Sequence, residues 1–250
     1  MAMNCLLLAC AAIAIFGNAQ GVVENERGFG DYMKSIMDSI TNVLFGQDED
    51  RSELPYVGKK INMDVYYESH CPDSRDFIRE ALHPIFCKIQ PYINLNLIPF
   101  GKAHSVEGGG FECQHGQKEC RGNTIHNCVL KRIADPVAQV DYVNCAMLNP
   151  DKPGHIETAC VQISGLNPIE IEYCYKSKEG YELMLNAERE TKTKTPGPRF
   201  VPTIIFEGVY NDRDQVSAFE NLESTICAKL LARSFNNVCY QGKISNAISC

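Results

Sequence analysis

The sequence has no surplus of positive charge. Its 24 Lys and Arg stand against 31 Asp and Glu, a formal net charge of −7, so it offers no basic field for nucleic acid. No apolar run reaches the ~20 residues that a helix needs to span a bilayer. No internal repeat stands out, which sets aside repeat architectures. No Asn-x-Ser/Thr sequon occurs, Asn237-Val238-Cys239 being at best the rare cysteine variant, so the usual N-glycan acceptor is missing. Cysteine, at 13 in 250 residues, stays below the roughly 8–10% of a miniature disulfide scaffold. A chain this long can bury a core without staples, and 44% hydrophobic residues exclude wholesale disorder.

Thirteen cysteines are nevertheless a heavy load for a reduced compartment. An apolar run from Cys5 to Phe16 is followed by Gly17-Asn18-Ala19, small residues one apart. Residues 1–19 therefore read as a secretory signal, although the n-region lacks Lys and Arg. Its removal takes Cys5 and Cys10 and leaves eleven cysteines. An odd number in an oxidising compartment means that one thiol is free or pairs between chains.

Residues 20–57 read as an N-terminal extension or pro-segment. Met33, Ile36, Met37, Ile40, Val43 and Leu44 recur at helical spacing, and Gln47 to Glu53 makes an acidic linker. The main domain, 58–250, opens with a strand from Ile61 to Tyr67. Phe77, Ile78, Ala81, Leu82, Ile85, Phe86 and Ile89 then predict an amphipathic helix, which Pro84 should kink or break. Tyr92 to Pro99 alternates as a second strand, and Gly108 to Gly110 is a loop. A cysteine-rich stretch from Cys113 to Cys174 is mostly helical by pattern, and Thr191 to Pro198 is a polar, proline-bearing connection. Phe200 to Gly208 is a strand introduced by proline. Asp214 is expected to cap a final helix through Val216, Phe219, Leu222, Ile226 and Leu230. The order is β-α-β, a helical insertion over about 108–198, then β and α.

Cys71 stands where the first strand gives way to the helix. A helix N-terminus favours negative charge, and the thiolate is the nucleophile of disulfide exchange. Pro72 suits the first helical turn, where its missing N–H is no loss. His70 precedes the thiol and would favour the thiolate if protonated and near, but strand neighbours alternate faces. Residues 113–128 add Cys113, Gln114, His115, Gly116, Glu119, Cys120, Asn123 and Cys128 at fixed spacing. A zinc reading of Cys113, His115, Cys120 and Cys128 is disfavoured, because zinc cysteines come in close C-x₂₋₄-C pairs.

The run 113–128 resembles the signature CQHGxxECxxNxxxxC of the gamma-interferon-inducible lysosomal thiol reductases. The Pro-Phe-Gly after the second strand, Asn186-Ala187, Cys227 and Cys239 follow in that family's order, over about residues 60 to 240. Cys-Pro-x-x after a strand and a late Val-Pro-Thr resemble the wider thioredoxin superfamily. The resemblance implies an α/β, thioredoxin-like fold with a disulfide-rich, mainly helical insertion. It implies that Pro202 is cis and faces Cys71. His115 and Gly116 read as loop-shaping rather than catalytic. No metal or cofactor is expected, and the implied partner is a disulfide-bonded protein, with a small thiol as possible reductant.

Ser74 departs from the family pattern, whose enzymes carry C-x-x-C. A serine hydroxyl cannot resolve a mixed disulfide, though it can hydrogen-bond to a thiolate. Cys87 lies sixteen residues further along the same helix, roughly 24 Å away at 1.5 Å per residue, and cannot substitute. Apart from Cys71, ten cysteines remain as disulfide candidates: Cys87, Cys113, Cys120, Cys128, Cys145, Cys160, Cys174, Cys227, Cys239 and Cys250. Eight match the family's order, Cys87 and Cys250 are extra, and connectivity stays open. Parity leaves Cys71 as the unpaired thiol. Two functions follow: a monothiol nucleophile dependent on an external thiol, or a catalytically weak binding protein that engages a secreted or cell-surface partner. Family members reach the lysosome through tagged N-glycans, so the missing sequons favour secretion over the lysosome.

Overall fold

The computed structural model describes residues 59–148, 155–194, 200–233 and 238–244. The signal, the extension and Cys250 lie outside them. Strand β1 (Ile61–Tyr67) is the centre of a three-stranded sheet ordered β2-β1-β5. It runs parallel to β2 (Ile93–Pro99), from Ile61 opposite Ile93 to Tyr67 opposite Pro99. It is antiparallel to β5 (Thr203–Phe206), with Met63 opposite Phe206 and Tyr66 opposite Thr203. Ile61, Met63, Val65 and Tyr67 are fully buried, and Tyr66 nearly so. Buried Ile61, Met63 and Val65 alternate with half-buried Asn62 and Asp64, and the strand becomes buried on both faces over Val65 to Tyr67, where it is apolar throughout.

Between β1 and β2 the chain forms helix α1 (Pro72–Asp76), a π-helical turn (Phe77–Leu82) and helix α2 (His83–Ile89). Pro84 does not break this segment. The turn before it widens, with the His83 N–H donating to the carbonyl of Ile78. That i→i−5 turn absorbs a proline whose ring would otherwise meet the carbonyl four residues back. Phe77, Ile78, Leu82, Phe86 and Ile89 all face the core.

Two short strands, β3 (His104–Ser105) and β4 (Phe111–Glu112), lead into the insertion. It comprises α3 (Gln117–Leu130), α4 (Pro136–Ala146), α5 (His155–Ile163), α6 (Pro168–Lys176) and α7 (Lys178–Lys194). Cys128–Cys174 ties α3 to α6, and Cys145–Cys160 ties α4 to α5. Helix α7 runs through Lys194, so the first part of the expected connection at 191–198 is helical.

After β5, Asp214 is not the cap of one long helix. Asn211 accepts from the N–H groups of Arg213 and Asp214 and starts α8 (Asp212–Glu220). Asn221, in extended conformation, stops α8 and caps α9 (Leu222–Leu231) through Ser224 N–H. Two asparagine caps override a hydrophobic periodicity that runs through both helices. Cys227–Cys239 pins α9 to a closing hairpin of β6 (Cys239–Tyr240) and β7 (Lys243–Ile244).

Candidate active site

Cys71 occupies the N-cap of α1, with Pro72 in the first turn. Its N–H donates to Glu68 O at 3.2 Å, and its carbonyl accepts from Arg75 N–H at 3.0 Å. The side chain is 6% exposed, and Sγ lies 3.9 Å from the carbonyl oxygen of Val201. The Val201–Pro202 peptide bond is cis. Buried Gln215 fixes this loop: Nε2 donates to Pro202 O at 3.1 Å, and Oε1 accepts from Ile204 N–H at 2.7 Å. Helix α8 thus holds the backbone that faces the thiol. Cys71 is the one free cysteine among the described residues.

Ser74 lies one turn beyond Cys71 and is completely buried. Its Oγ accepts from Glu68 N–H at 3.3 Å. Glu68 therefore brackets the Cys71–Ser74 turn, its carbonyl holding the start and its N–H the end.

The signature run packs directly on this turn. Asn123 Oδ1 accepts from Ser69 N–H at 2.8 Å, and Ser69 Oγ donates to Glu119 O at 3.2 Å. Gly122 lets α3 come this close. A Cβ there would meet Ser69 Oγ closer than any real Cβ contact, with Ser69 Cβ at 3.0 Å and His70 Cε1 at 3.2 Å. His70 therefore lies against α3, its Nδ1 3.2 Å from Ser69 Oγ. One turn further along, Tyr67 Oη pairs with His126 Nδ1 at 3.0 Å. Burial first, with His70 adding, pulls the His126 imidazole down to about 3.

The disfavoured zinc reading fails, because its cysteines are paired in disulfides. Cys113 is bonded to Cys120, and Cys128 to Cys174. Gly116, at φ 80°, is the N-cap of α3, a left-handed position that favours glycine. Gln114 is exposed. His115 instead joins two acids. Its Nδ1 lies 2.5 Å from Glu119 Oε2 and 3.4 Å from Glu68 Oε2, and its N–H donates to Glu119 Oε1 at 3.1 Å. Both Glu side chains are fully buried. Glu68 Oε1 accepts from Lys102 N–H at 2.8 Å, and Gly101, at φ 60°, leaves the room that Glu68 fills. The three ligand atoms lie within 4.8 Å of one another. Yet 2.5 Å is the spacing of atoms that share a proton. Two neighbours on a tetrahedral zinc, at ~2.0–2.1 Å each, stand about 3.3 Å apart.

Glu68 and Gly122 were missed by a reading that followed the cysteines. A carboxylate three residues before Cys71, just past the apolar end of β1, is the available signal. Cys87 is disulfide-bonded, with its partner outside the described residues.

A thiol at the N-cap of a helix after a central parallel strand, facing a cis-proline loop, defines a thioredoxin-like oxidoreductase site. A sequence model described as gamma interferon inducible lysosomal thiol reductase (GILT) matches residues 62–164. The chain is 35% identical over 196 residues to GILT-like protein 1 of Drosophila melanogaster, covering 69% of this chain and 76% of that one. It is 33% identical over 191 residues to a gamma-interferon-inducible lysosomal thiol reductase-like protein of Anopheles gambiae, covering 70% and 79%. The chain belongs to the GILT family. Among solved structures, Chlamydia trachomatis DsbA aligns at a TM-score of 0.48 and 15% identity, over 76% of this chain and 96% of that one.

Proposed function

We propose that this chain is a secreted, monothiol member of its family, acting on protein disulfides through Cys71. The observation that carries this reading is a single free thiol among the described residues, with buried Ser74 three positions on, where the family's enzymes carry the resolving cysteine. The Cys71 thiolate attacks one sulfur of a substrate disulfide. A mixed disulfide forms, and the other substrate sulfur leaves as a thiolate and takes a proton. A small external thiol then attacks Cys71 Sγ and releases the second substrate thiol. A second small thiol frees Cys71, so two external thiols are oxidised to one disulfide for each substrate disulfide reduced. If the substrate's own thiol attacks instead, the disulfide is reshuffled with no net redox change. The apolar N-terminal run and the missing sequons support secretion.

The test is turnover of a disulfide-bonded protein at pH 5 and pH 7, with and without free cysteine. Turnover that needs cysteine and vanishes in Cys71→Ser is the expected result. Activity no greater than that of Cys71→Ser refutes the reading. The 6% exposure of Cys71 favours a second reading, binding of a secreted or cell-surface protein through the retained fold. In that case the complex survives Cys71→Ser in pull-down.

A further inference from the structure

The Glu68, His115 and Glu119 cluster is unused by the exchange chemistry above. It puts two fully buried carboxyl groups against one imidazole. Two buried carboxylates packed against each other are costly, and a group so placed takes up a proton instead. The hydrogen bonds decide which acid does so. Glu119 accepts the His115 backbone N–H on Oε1 and pairs with the ring Nδ1 through Oε2, and it sits in the first turn of α3, where negative charge is favoured. Glu68 receives one backbone donor, from Lys102, and its buried Oε2 has no hydrogen-bond partner. Glu68 is therefore the less well satisfied of the two acids and the better placed to hold a proton. Burial pushes the Glu68 carboxyl up to about 7. The Lys102 N–H opposes this, the Glu119 charge adds to it, and the charges of His115 and Lys102 oppose it.

The main chain of Glu68 connects this cluster to the reacting thiol. Its carbonyl accepts from Cys71 N–H, and its N–H donates to Ser74 Oγ. The next residue is clasped by Asn123 and by the Glu119 carbonyl. We propose that Glu68 is a positioning residue for Cys71: its neutral carboxyl lets α3 clasp the Cys71–Ser74 turn, and its ionisation sets two buried carboxylates against each other, loosens the clasp and exposes the thiol. Around Glu68, α3 contributes Glu119, the turn before α3 contributes His115, and the segment after β2 contributes Lys102. His70, on the same turn as Cys71, faces Ser69 and α3.

This inference rests on Cys71 being the reactive thiol, but its test needs no turnover. Cys71 alkylation by iodoacetamide is measured from pH 5 to pH 8.5 in the wild type and in Glu68→Gln. Glutamine keeps the acceptor for Lys102 N–H and cannot ionise. The ratio of the two rates cancels the ordinary rise of thiolate with pH. The expected ratio, wild type over variant, is flat below about pH 6 and rises at least threefold by pH 8, by which point the Glu68 carboxyl has ionised. A flat ratio means a purely structural Glu68 and overturns the proposal. A falling ratio means direct repulsion of the thiolate and also overturns it. If Glu68→Gln does not fold, amide exchange in the wild type decides. Protection of residues 68–71, corrected for the intrinsic pH dependence, should fall between pH 6 and pH 8 while α9 stays protected. Parallel behaviour of the two segments overturns the proposal.

Discussion

Gly122→Ala is the sharpest test of the contact between the signature run and the Cys71 turn. In an isolated helix this change stabilises by about 1 kcal/mol, because glycine is the poorer helix former. Here the new methyl enters space held by Ser69, whose Oγ and Cβ cannot swing far. Ser69 N–H is fixed on Asn123 Oδ1 at 2.8 Å, and its hydroxyl donates to Glu119 O. Overpacking of this kind costs ~1–3 kcal/mol. Subtracting the helix gain leaves a net loss of roughly 0–2 kcal/mol. That small change in stability should accompany a larger change at Cys71, because the residue displaced lies two positions before it. The assays are the urea midpoint and the rate of Cys71 alkylation at fixed pH. Adding Ser69→Gly removes the obstructing hydroxyl and Cβ while keeping the N–H, and should bring the alkylation rate to that of Ser69→Gly alone, a coupling that a double-mutant cycle isolates. A Gly122→Ala protein that is about 1 kcal/mol more stable, with an unchanged alkylation rate, would refute the close approach.

Stability should depend weakly on pH between about 4.5 and 6.5, because two buried groups oppose one another there. The raised Glu68 carboxyl stabilises the fold below its unfolded value near 4.5, and this is lost as pH rises through about 7. The depressed His126 stabilises above its unfolded value near 6.5, and this is lost as pH falls toward about 3. Glu68→Gln should uncover the histidine slope, up to ~1.4 kcal/mol per pH unit, in urea midpoints taken every half unit; identical slopes in the two proteins would exclude the compensation. Ser74→Cys, pre-reduced, should release reduced substrate in a single turnover without external cysteine, which is then needed only to reduce the new disulfide between Cys71 and the introduced thiol; an unchanged requirement in that single turnover would mean that the second sulfur cannot reach the first. Replacing Cys227 and Cys239 together by Ala closes no loop of 12 residues and should cost about 3 kcal/mol. The same change at Cys128 and Cys174, 46 apart, should cost about 4 kcal/mol, read as the drop in unfolding free energy.

The parts of the fold set by local sequence were legible. Ile61–Tyr67 and Ile93–Pro99 announce themselves by β-branched and aromatic residues, and Cys71 is visible at the junction because strand, proline and helical periodicity meet there. What escaped depends on distant partners. Cysteine pairing is a matter of which helices the chain brings together, as Cys128 and Cys174 illustrate. Gly101 and Gly122 look like ordinary glycines until Glu68 and Ser69 arrive beside them. The π-turn before Pro84 and the break at Asn221 are local events, but each ran against a hydrophobic pattern that continues through it.

Ser74 is the residue whose meaning changes most when the contacts are known. By sequence it is a lost resolver. In the fold it is a buried acceptor for Glu68 N–H. A thiol is a weak acceptor where a hydroxyl is a good one, and a buried N–H left poorly satisfied costs about 1–3 kcal/mol. Serine therefore holds the end of the Cys71 turn better than cysteine would, through the same Glu68 whose carboxyl lies in the His115–Glu119 cluster. It follows that restoring the second cysteine should add a resolver and loosen the turn at once. Ser74→Cys should show weaker amide protection at Glu68 than the wild type even where its turnover is greater. A variant with full protection and full dithiol activity would show that the serine hydrogen bond contributes nothing to the seat of Cys71.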